Sequence, residues 1–458
     1  MNGPRTALAI LAGRLSTLAS RSLRRSATSL PGLVGLKIQP RLIEAQRQKL
    51  GQVIIVTGTN GKTTTARFIG RILEENRQAY VHNQSGSNLV RGIASSLIAR
   101  FPAGHAQPWG LFEVDEATMP AACAALRPDL VIVTNLFRDQ LDRYGELLKT
   151  AEFVAEGLAH LGSQATAILN ADDPLVASLG RGLKANVRYY GIEDTTVAKP
   201  DLPHAADVLA SAESGELLSY DAVYVGHLGH YVSADGDIVR PTPDVAATKV
   251  KLDGTTGSQT TITANGKELQ VHLAIPGLYN VYNALAAASV GLSLPFQTES
   301  IAKALESTVA AFGRVEQIKV GEKHVALYLI KNPTGANEII DTLALEPERK
   351  HVLIGINDNF ADGTDVSWLW DADFEGLREQ ADRISVTGTR GADMAVRLKY
   401  AGWPEREITR YDSLEAGLDE ALAAVPDGGT LYVLPTYTAM LDIRRTMKDR
   451  GFVRHYLR

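Results

Sequence analysis

The feature that most constrains this chain is a glycine-rich segment between a short apolar run and a helix-forming stretch. Residues 53–56 are Val-Ile-Ile-Val, which predicts a buried strand. Residues 57–65 are Thr-Gly-Thr-Asn-Gly-Lys-Thr-Thr-Thr, and the pattern of 66–75 predicts a helix. Glycine lets backbone amides approach phosphate oxygens closely, and a helix N-terminus favours negative charge. The order of strand, glycine-rich turn and helix therefore predicts a nucleotide phosphate site.

The side chains of this loop predict separate roles. We expect Lys62 to reach the β- and γ-phosphates and the Thr63 hydroxyl to bind Mg²⁺. The strict pattern G-x-x-x-x-G-K-[ST] is not met, because position 56 is valine and Gly58 makes the turn. A glycine turn between core elements, without a ligand, is the alternative. The predicted phosphate-binding residues are Gly58, Thr59, Asn60, Gly61, Lys62, Thr63 and Thr64.

Composition narrows the classes of function. Among 458 residues, 47 Lys and Arg stand against 52 Asp and Glu, which lacks the basic excess of a nucleic-acid-binding protein. Cys123 is the one cysteine, which excludes a disulfide framework and a multi-cysteine zinc site. A reducing, cytoplasmic location is the simplest expectation. No apolar stretch reaches the roughly 18–20 residues that a membrane-spanning helix needs.

The N-terminal arm, residues 1–48, has a distinct composition. Residues 1–43 contain no Asp or Glu and carry seven basic residues, and leucines at positions 8, 11, 15 and 18 recur at helical spacing. One interpretation is a basic amphipathic helix that lies on anionic lipid, as a peripheral contact with the inner face of the membrane. The other, which we favour slightly because no Trp or Phe anchors the apolar side, is a helix packed on the first domain with a solvated basic face.

The sequence T-G-T-N-G-K-T-T resembles the ATP loop of the Mur ligase superfamily, which includes the peptidoglycan stem-peptide ligases and folylpolyglutamate synthase. Residues 111–117, Leu-Phe-Glu-Val-Asp-Glu-Ala, place acids at the end of a predicted strand, and Mg²⁺ prefers such oxygen ligands. The resemblance implies that Glu113 is the metal-binding glutamate. It also implies that Asn88, in a polar segment, lies near the γ-phosphate.

Later motifs extend the resemblance. Residues 276–285 match P-G-x-x-N-x-x-N-A, which implies that Asn280 and Asn283 contact the adenine or ribose of ATP; a capped helix start is the alternative. Residues 312–316 resemble a hinge that carries a nucleotide-contacting arginine, here Arg314, into the last domain. Mur ligases bind a second metal through a histidine where this chain has Gln140, so we assign neither that metal nor a carbamylated lysine.

Three further segments resemble the MurT family within this superfamily. Residues 217–231 end in H-L-G-H-Y with His227 and His230, but the four cysteines of the family's zinc ribbon are missing. Two histidines cannot complete a four-ligand zinc site, so we expect a metal-free β-hairpin and no zinc. Residues 331–338, K-N-P-T-G-A-N-E, and 357–371, N-D-N-F-A-D-G-T-D-V-S-W-L-W-D, also match.

The sequence therefore predicts an α/β protein with three parts. The basic helical arm at 1–48 precedes a P-loop Mur ligase central domain with a parallel sheet at 49–313. This domain carries a ribbon-like β insertion at about 194–265, where short polar turns replace the helical pattern. Residues 314–458 alternate strands and helices, which predicts a Rossmann-like domain.

The resemblance to the MurT family implies an ATP- and Mg²⁺-dependent reaction. It amidates the α-carboxyl of D-glutamate in the lipid II stem peptide to D-isoglutamine through an acyl phosphate, with Lys62 and Glu113 as catalytic residues. The resemblance also implies that ammonia comes from a GatD-type glutaminase subunit in a heterodimer. Cys123 lies in a small-residue helix without a neighbouring His, so this chain itself offers no glutaminase nucleophile. Asp365, or second Asp362, is implied to complete the partner's Cys-His-Asp triad; these acids could instead cap helices or line this chain's own site.

Two alternatives belong to other classes. A stand-alone Mur ligase or folylpolyglutamate-type enzyme would add a free amino acid, and the last domain would then carry an arginine motif that binds its carboxylate. Arg390, in T-G-T-R-G, does not match that pattern. A non-enzymatic nucleotide sensor is the third possibility, and the intact Lys62, Thr63 and Glu113 argue against it.

Overall fold

The computed structural model describes residues 3–22, 29–83, 87–99, 107–139, 147–203, 206–210, 215–309 and 315–453. The N-terminal arm is helical and packs on the next domain. Its helices are α1 (Pro4–Ser22), α2 (Leu30–Ile38) and α3 (Leu42–Arg47). Helices α1 and α2 pack together and against helix α5 of the central domain, defined below. Among the described residues, no helix combines the length and apolarity that crossing a bilayer requires.

The central domain is built on a nine-stranded sheet flanked by helices. Its elements are β1 (Val53–Thr57), α4 (Lys62–Glu75), β2 (Tyr80–His82), α5 (Val90–Ala99), β3 (Trp109–Glu113), α6 (Met119–Leu126), β4 (Leu130–Val133), α7 (Leu147–Leu158), β5 (Thr166–Asn170), α8 (Pro174–Ser178), β6 (Asn186–Ile192), β7 (Leu218–Val225), β8 (Leu228–Ser233), β9 (Val245–Leu252), β10 (Ser258–Ala264), β11 (Lys267–Leu273), α9 (Leu278–Leu292) and α10 (Thr298–Glu306). The sheet order is β11-β10-β9-β6-β5-β4-β1-β3-β2.

The strand pairing explains the apolar run at the start of the phosphate loop. Strand β1 pairs in parallel with β3 on one side and β4 on the other. Ile54 and Val56 belong to the hydrophobic core on one face of the sheet, and Val53 and Ile55 to the core on the opposite face. A parallel strand covered on both faces needs apolar residues throughout, which is what the sequence has.

The insertion is smaller than the sequence suggested. Strands β7 and β8 form a two-stranded antiparallel hairpin that stands apart from the other sheets, as expected for part of 194–265. Strands β9 and β10 lie in the same interval but join the central sheet, β9 in parallel with β6 and β10 antiparallel to β9. Their regular strand pattern shows that the chain has returned to the central domain by Val245.

The C-terminal domain has a six-stranded sheet with helices on its faces, as the alternating pattern predicted. Its elements are β12 (Val315–Val320), β13 (Lys323–Tyr328), α11 (Pro333–Ala344), β14 (Lys350–Gly355), α12 (Leu377–Gln380), β15 (Ala381–Thr387), α13 (Gly391–Tyr400), β16 (Ile408–Arg410), α14 (Leu414–Ala424), β17 (Thr430–Pro435) and α15 (Tyr437–Asp449). The order is β12-β13-β17-β14-β15-β16, and β12 pairs antiparallel while the other neighbours pair in parallel. The predicted α/β fold class is confirmed.

Candidate active site

The phosphate loop connects β1 to α4 and depends on two glycines with positive φ. Gly58 has φ +119° and Gly61, directly before α4, has φ +88°. A Cβ on Gly58 would lie 2.3 Å from Thr134 Oγ1, and one on Gly61 would lie 2.0 Å from Asn283 Oδ1. Both the backbone conformation and the lack of space therefore require glycine here. Helix α4 begins at Lys62, earlier than the predicted Ala66, because Gly61 already directs the chain into the helix.

Residues that follow β4 form hydrogen bonds with the phosphate loop. The Asn60 amide donates to Asn135 Oδ1 at 2.8 Å, and Thr134 Oγ1 donates to the Asn60 carbonyl at 2.7 Å. The hydroxyl of Thr59 accepts from the Phe137 amide at 3.0 Å. These bonds fix the loop shape before any nucleotide binds.

Lys62 lies among acids. Its Nζ donates to the Gly58 carbonyl at 2.5 Å and lies 3.3 Å from Glu116 Oε1 and 3.8 Å from Asp115 Oδ1. Burial alone lowers the pKa of Lys62, but the neighbouring carboxylates outweigh burial and raise the pKa above its ordinary value. The ammonium group is therefore charged at neutral pH. Asn88 joins the same cluster, since its Nδ2 donates to Asp115 Oδ1 at 3.3 Å.

Thr63 and Glu113 come together as the sequence predicted. Thr63 Oγ1 donates to Glu113 Oε2 at 2.8 Å, although fifty residues separate them. The end of β2 adds two residues that the sequence analysis missed. His82 Nε2 lies 3.5 Å from Glu113 Oε1, and the Asn83 side chain bonds both the amide and the carbonyl of Glu113, at 2.8 and 2.7 Å. Strand β2 has only three residues, so its pattern gave little signal.

The donor set at this position fits Mg²⁺. A hydroxyl and a carboxylate are hard oxygen ligands, and Mg²⁺ usually binds one or two protein carboxylates together with waters and substrate phosphates. Within the described ranges, no group of three or more His, Cys, Asp or Glu side chains could form a metal cage. Thr63 and Glu113 are thus the side chains that would hold the ion, while Asn83 fixes the backbone of Glu113 and His82 lies beside its carboxylate.

A cleft opens beside the phosphate loop, between the two domains. Asn280 and Asn283 line it from α9 and are buried. Asn283 Nδ2 donates to Asn280 Oδ1 at 3.0 Å, and Thr65 Oγ1 donates to Asn283 Oδ1 at 3.3 Å. The structure therefore brings both predicted asparagines to the cleft next to Thr64, while Arg314 lies outside the described residues, as does Gln140.

The C-terminal domain reaches the phosphate loop through the K-N-P motif. Lys331 Nζ lies 2.5 Å from Asp139 Oδ2 and 3.4 Å from the Thr59 carbonyl. Asn332 Nδ2 donates to Asn60 Oδ1 at 3.1 Å. The motif alone does not reveal these contacts, because the partners lie almost 200 or more positions away in the chain. Lys331 brings a second cation to the loop.

An ion pair that includes the buried Glu338, which lines the cleft, joins the two domains. Lys199 Nζ of the central domain lies 2.8 Å from Glu338 Oε1 and 2.5 Å from Asp341 Oδ2, both on α11. Burial raises the pKa of Glu338 to about 7; Asp341 adds to the rise and Lys199 opposes it. Sequence reasoning missed this contact, since 139 positions separate Lys199 from Glu338.

The two candidate acids for a partner's triad differ in their surroundings. Asp362 is buried and accepts from the Thr438 amide at 2.7 Å, at the start of α15, so it has a structural role. Asp365 is exposed, and its Oδ1 accepts from the Ser367 amide at 2.8 Å. An exposed carboxylate can reach a side chain of a partner, which favours Asp365 over Asp362.

The hairpin histidines contact protein groups. His230 Nε2 lies 2.8 Å from the Ile192 carbonyl, and the ring of His227 is fully buried, 4.7 Å from the ring of Phe137. Nearby, Asp172 accepts from Tyr282 Oη and from Arg240 Nε, each at 2.6 Å. These contacts tie the hairpin region to the central sheet and α9. The absence of zinc stays a prediction from the missing cysteines.

Comparison with protein families matches both halves of the chain. Residues 56–227 match the family model described as Mur ligase middle domain, and residues 329–440 match MurT ligase C-terminal. The MurT subunit of lipid II isoglutaminyl synthase (glutamine-hydrolyzing) from Streptococcus pneumoniae (strain ATCC BAA-255 / R6) is 33% identical over 454 residues, 98% of each chain. The chain belongs to the MurT family. It is therefore an ATP-dependent ligase of the Mur ligase superfamily.

Another relative and a solved structure agree with this family and fold. The MurT subunit from Staphylococcus aureus (strain COL) is 31% identical over 453 residues, which cover 97% of this chain and 98% of that protein. Among solved structures, a pseudomurein peptide ligase type C from Methanothermus fervidus superposes with a TM-score of 0.68 at 21% identity, over 87% of this chain and 79% of that one. At this identity the structural match supports the fold alone.

Proposed function

We propose that the chain is the synthetase subunit of an amidotransferase that converts the α-carboxyl of D-glutamate in the lipid II stem peptide to D-isoglutamine. The curated relatives that cover 97–98% of this chain are named for that activity. The observation that carries the proposal is the group formed by Lys62, Thr63 and Glu113 at the end of the phosphate loop. Their arrangement suits transfer of a phosphoryl group, because positive charge and hard oxygen ligands meet at one point.

The chemistry follows from the poor reactivity of a carboxylate. A carboxylate oxygen attacks the γ-phosphorus of ATP, the bond to the β–γ bridging oxygen breaks, and ADP leaves. Ammonia then attacks the acyl carbon of the acyl phosphate, and inorganic phosphate leaves as the nitrogen loses a proton. Lys62 neutralises charge on the phosphate oxygens directly. Mg²⁺, which Thr63 and Glu113 would hold, supplies further charge neutralisation when it is bound.

The interdomain contacts support protection of the acyl phosphate from water. Lys331 and Asn332 of the C-terminal domain already touch the phosphate loop, at Thr59 and Asn60. Closing a site between two domains excludes water and completes the set of charged groups. We therefore propose that the adenosine lies in the cleft against Asn280 and Asn283, with its phosphates directed toward Lys62.

Ammonia must come from a second polypeptide, for which we propose a GatD-type glutaminase. Burial raises the pKa of the Cys123 thiol to about 12, so this cysteine is not a nucleophile at neutral pH. Asp365 is exposed on the C-terminal domain, where it can face a partner's histidine. The proposed location is the cytoplasm at the inner face of the membrane, where a lipid-linked acceptor is accessible.

One assay tests the proposal. The purified chain is mixed with ATP, Mg²⁺, lipid II and ammonium chloride, with and without the glutaminase and glutamine. We expect amidated lipid II from ammonium alone, and loss of product by at least about a hundredfold in Lys62→Ala. The control is Lys448→Ala, which removes an exposed lysine on α15. Product that forms only when a free amino acid is added would instead indicate a stand-alone ligase, and nucleotide binding without turnover would indicate a sensor.

A further inference from the structure

Helix α1 exposes an apolar face that no described part of the chain covers. Leu8, Leu11, Leu15 and Leu18 are 56, 57, 55 and 61% exposed. At about 100° per residue, these four leucines fall within an arc of about 80° on one side of the helix. A cluster of exposed large apolar side chains on one surface marks a site of association. We call this set the leucine face.

The opposite side of α1 is the one that packs on the protein. Thr6, Ala9 and Gly13 are buried. A Cβ on Gly13 would lie 2.8 Å from Ile98 Cδ1 of α5 and 3.0 Å from the Pro31 carbonyl of α2, so the glycine permits close packing. The expected packing of the arm on the first domain is therefore present, but through small residues. The leucines, which a packed amphipathic helix would bury, point outward.

The charge around the leucine face shows which kind of surface this face complements. The first 43 residues carry seven basic residues and no acid. Helical geometry places Arg5 and Arg14 at opposite borders of the leucine face. Each is anchored by Nε, Arg5 to the Ile38 carbonyl at 2.6 Å and Arg14 to the Ile98 carbonyl at 3.2 Å. An apolar strip with cationic borders and no acid complements an anionic lipid surface, where leucines enter the acyl boundary and arginines meet phosphates.

Helix α2, which packs on α1, also exposes apolar and basic side chains. Leu30 and Leu33, three positions apart on α2, are 38 and 42% exposed, and Lys37 one turn further is also exposed. Helix α5, on which α1 and α2 pack, follows the segment that carries Asn88, and Asn88 contacts Asp115 beside Lys62. Helices α1 and α2 thus pack on a helix that directly follows a segment of the active site.

We propose that the leucine face of α1 docks the enzyme on anionic lipid. The biological role of this docking rests on the proposed function, because a lipid-linked acceptor lies in such a surface. The binding of the helix to lipid does not depend on the proposed function. Docking would hold the site near membrane-embedded substrate and leave the chemistry unchanged. The interpretation that we favoured from sequence, a packed helix with only a solvated basic face, does not account for four outward leucines.

The test compares flotation of the full chain with vesicles of phosphatidylglycerol and phosphatidylcholine against vesicles of phosphatidylcholine alone. We expect binding to the anionic vesicles, weakened by salt, and a decrease of about tenfold or more when the four leucines are replaced by glutamine. The control carries Leu148→Gln and Leu345→Gln, which are 52 and 47% exposed elsewhere. Thermal unfolding checks that each variant folds. Failure of the native chain to float, or equal flotation of both variants, would overturn the proposal.

Two further readouts distinguish lipid docking from self-association and from damage to the active site. If the native chain sediments as a dimer that the leucine substitutions dissociate, and does not float, the face binds a second copy and the lipid proposal is wrong.

In the amidation assay, the leucine variant should show a raised KM for lipid II in vesicles and an unchanged kcat/KM for a short-chain, water-soluble analogue. An equal loss on both substrates would contradict docking. Absence of amidation by the native chain would refute the proposed function and leave the flotation result standing.

Discussion

The buried carboxyl of Glu338 should make the stability of the protein depend on pH in a direction that a surface glutamate does not produce. The side chain is 7% exposed, lines the cleft, and pairs with Lys199 across the domain boundary. Burial raises its pKa from 4.5 to about 7. Glu338→Gln removes the ionisable group but keeps its size. Lys199 retains Asp341 at 2.5 Å as a partner, so the substitution leaves no isolated buried cation.

The direction of the pH dependence follows from the difference in proton binding between the folded and the unfolded protein. Between pH 4.5 and 7 the folded protein keeps the Glu338 proton, whereas the unfolded chain has released it, so raising the pH lowers the free energy of unfolding. A rise from 4.5 to about 7 corresponds to about 3 kcal/mol in total, and most of this falls between pH 5 and pH 8. Glutamine does not titrate. The variant should therefore gain stability relative to the native protein as the pH rises, and the difference should level off above pH 7.

Urea unfolding at a series of pH values measures this difference directly. Glu322→Gln is the matched control, because Glu322 is exposed in the turn between β12 and β13 and should leave the pH profile unchanged. A difference between native protein and Glu338→Gln that stays constant from pH 5 to pH 8 would refute the reasoning. So would a variant that loses stability as the pH rises, since the carboxylate would then favour folding in its charged form.

Substitutions at three other positions test the site. Gly61→Ala places a Cβ 2.0 Å from Asn283 Oδ1 at φ +88°, so we expect nucleotide affinity, measured by calorimetry, to fall by about tenfold or more; unchanged affinity would contradict the glycine argument. Thr63→Val should raise the Mg²⁺ concentration needed for half-maximal activity while Thr63→Ser keeps it near native, and equal behaviour of the two would argue against a hydroxyl ligand beside Glu113. Asp365→Ala should spare synthesis from ammonium and impair synthesis from glutamine, and equal loss of both would exclude its assigned role.

Local pattern was sufficient for the elements that surround the phosphate loop. The run Val53–Val56 predicted β1 because both faces of a central parallel strand are buried, and the glycines at 58 and 61 marked backbone positions that other residues adopt poorly. Glu113 could be placed near Thr63 for a related reason. Parallel neighbours end at the same edge of a sheet, and β3 pairs directly with β1.

Contacts between distant segments could not be predicted in the same way. Lys199 with Glu338 and Lys331 with Asp139 join domains whose relative position no local pattern encodes. The leucine spacing predicted helix α1 but not the side that packs. The packed side is marked by Gly13. A glycine in the middle of a helix costs stability by itself, so its presence indicates close approach by another element.

The central claim is that ATP activates a carboxylate as an acyl phosphate, which ammonia then converts to an amide. It is tested most directly with lipid II whose D-glutamate α-carboxyl oxygens are both labelled with ¹⁸O, in the presence of ATP, Mg²⁺ and ammonium. The account predicts that each amidated product is accompanied by one ADP and one inorganic phosphate that carries a single ¹⁸O. Amide formation with unlabelled phosphate, or with the label in AMP, would contradict it.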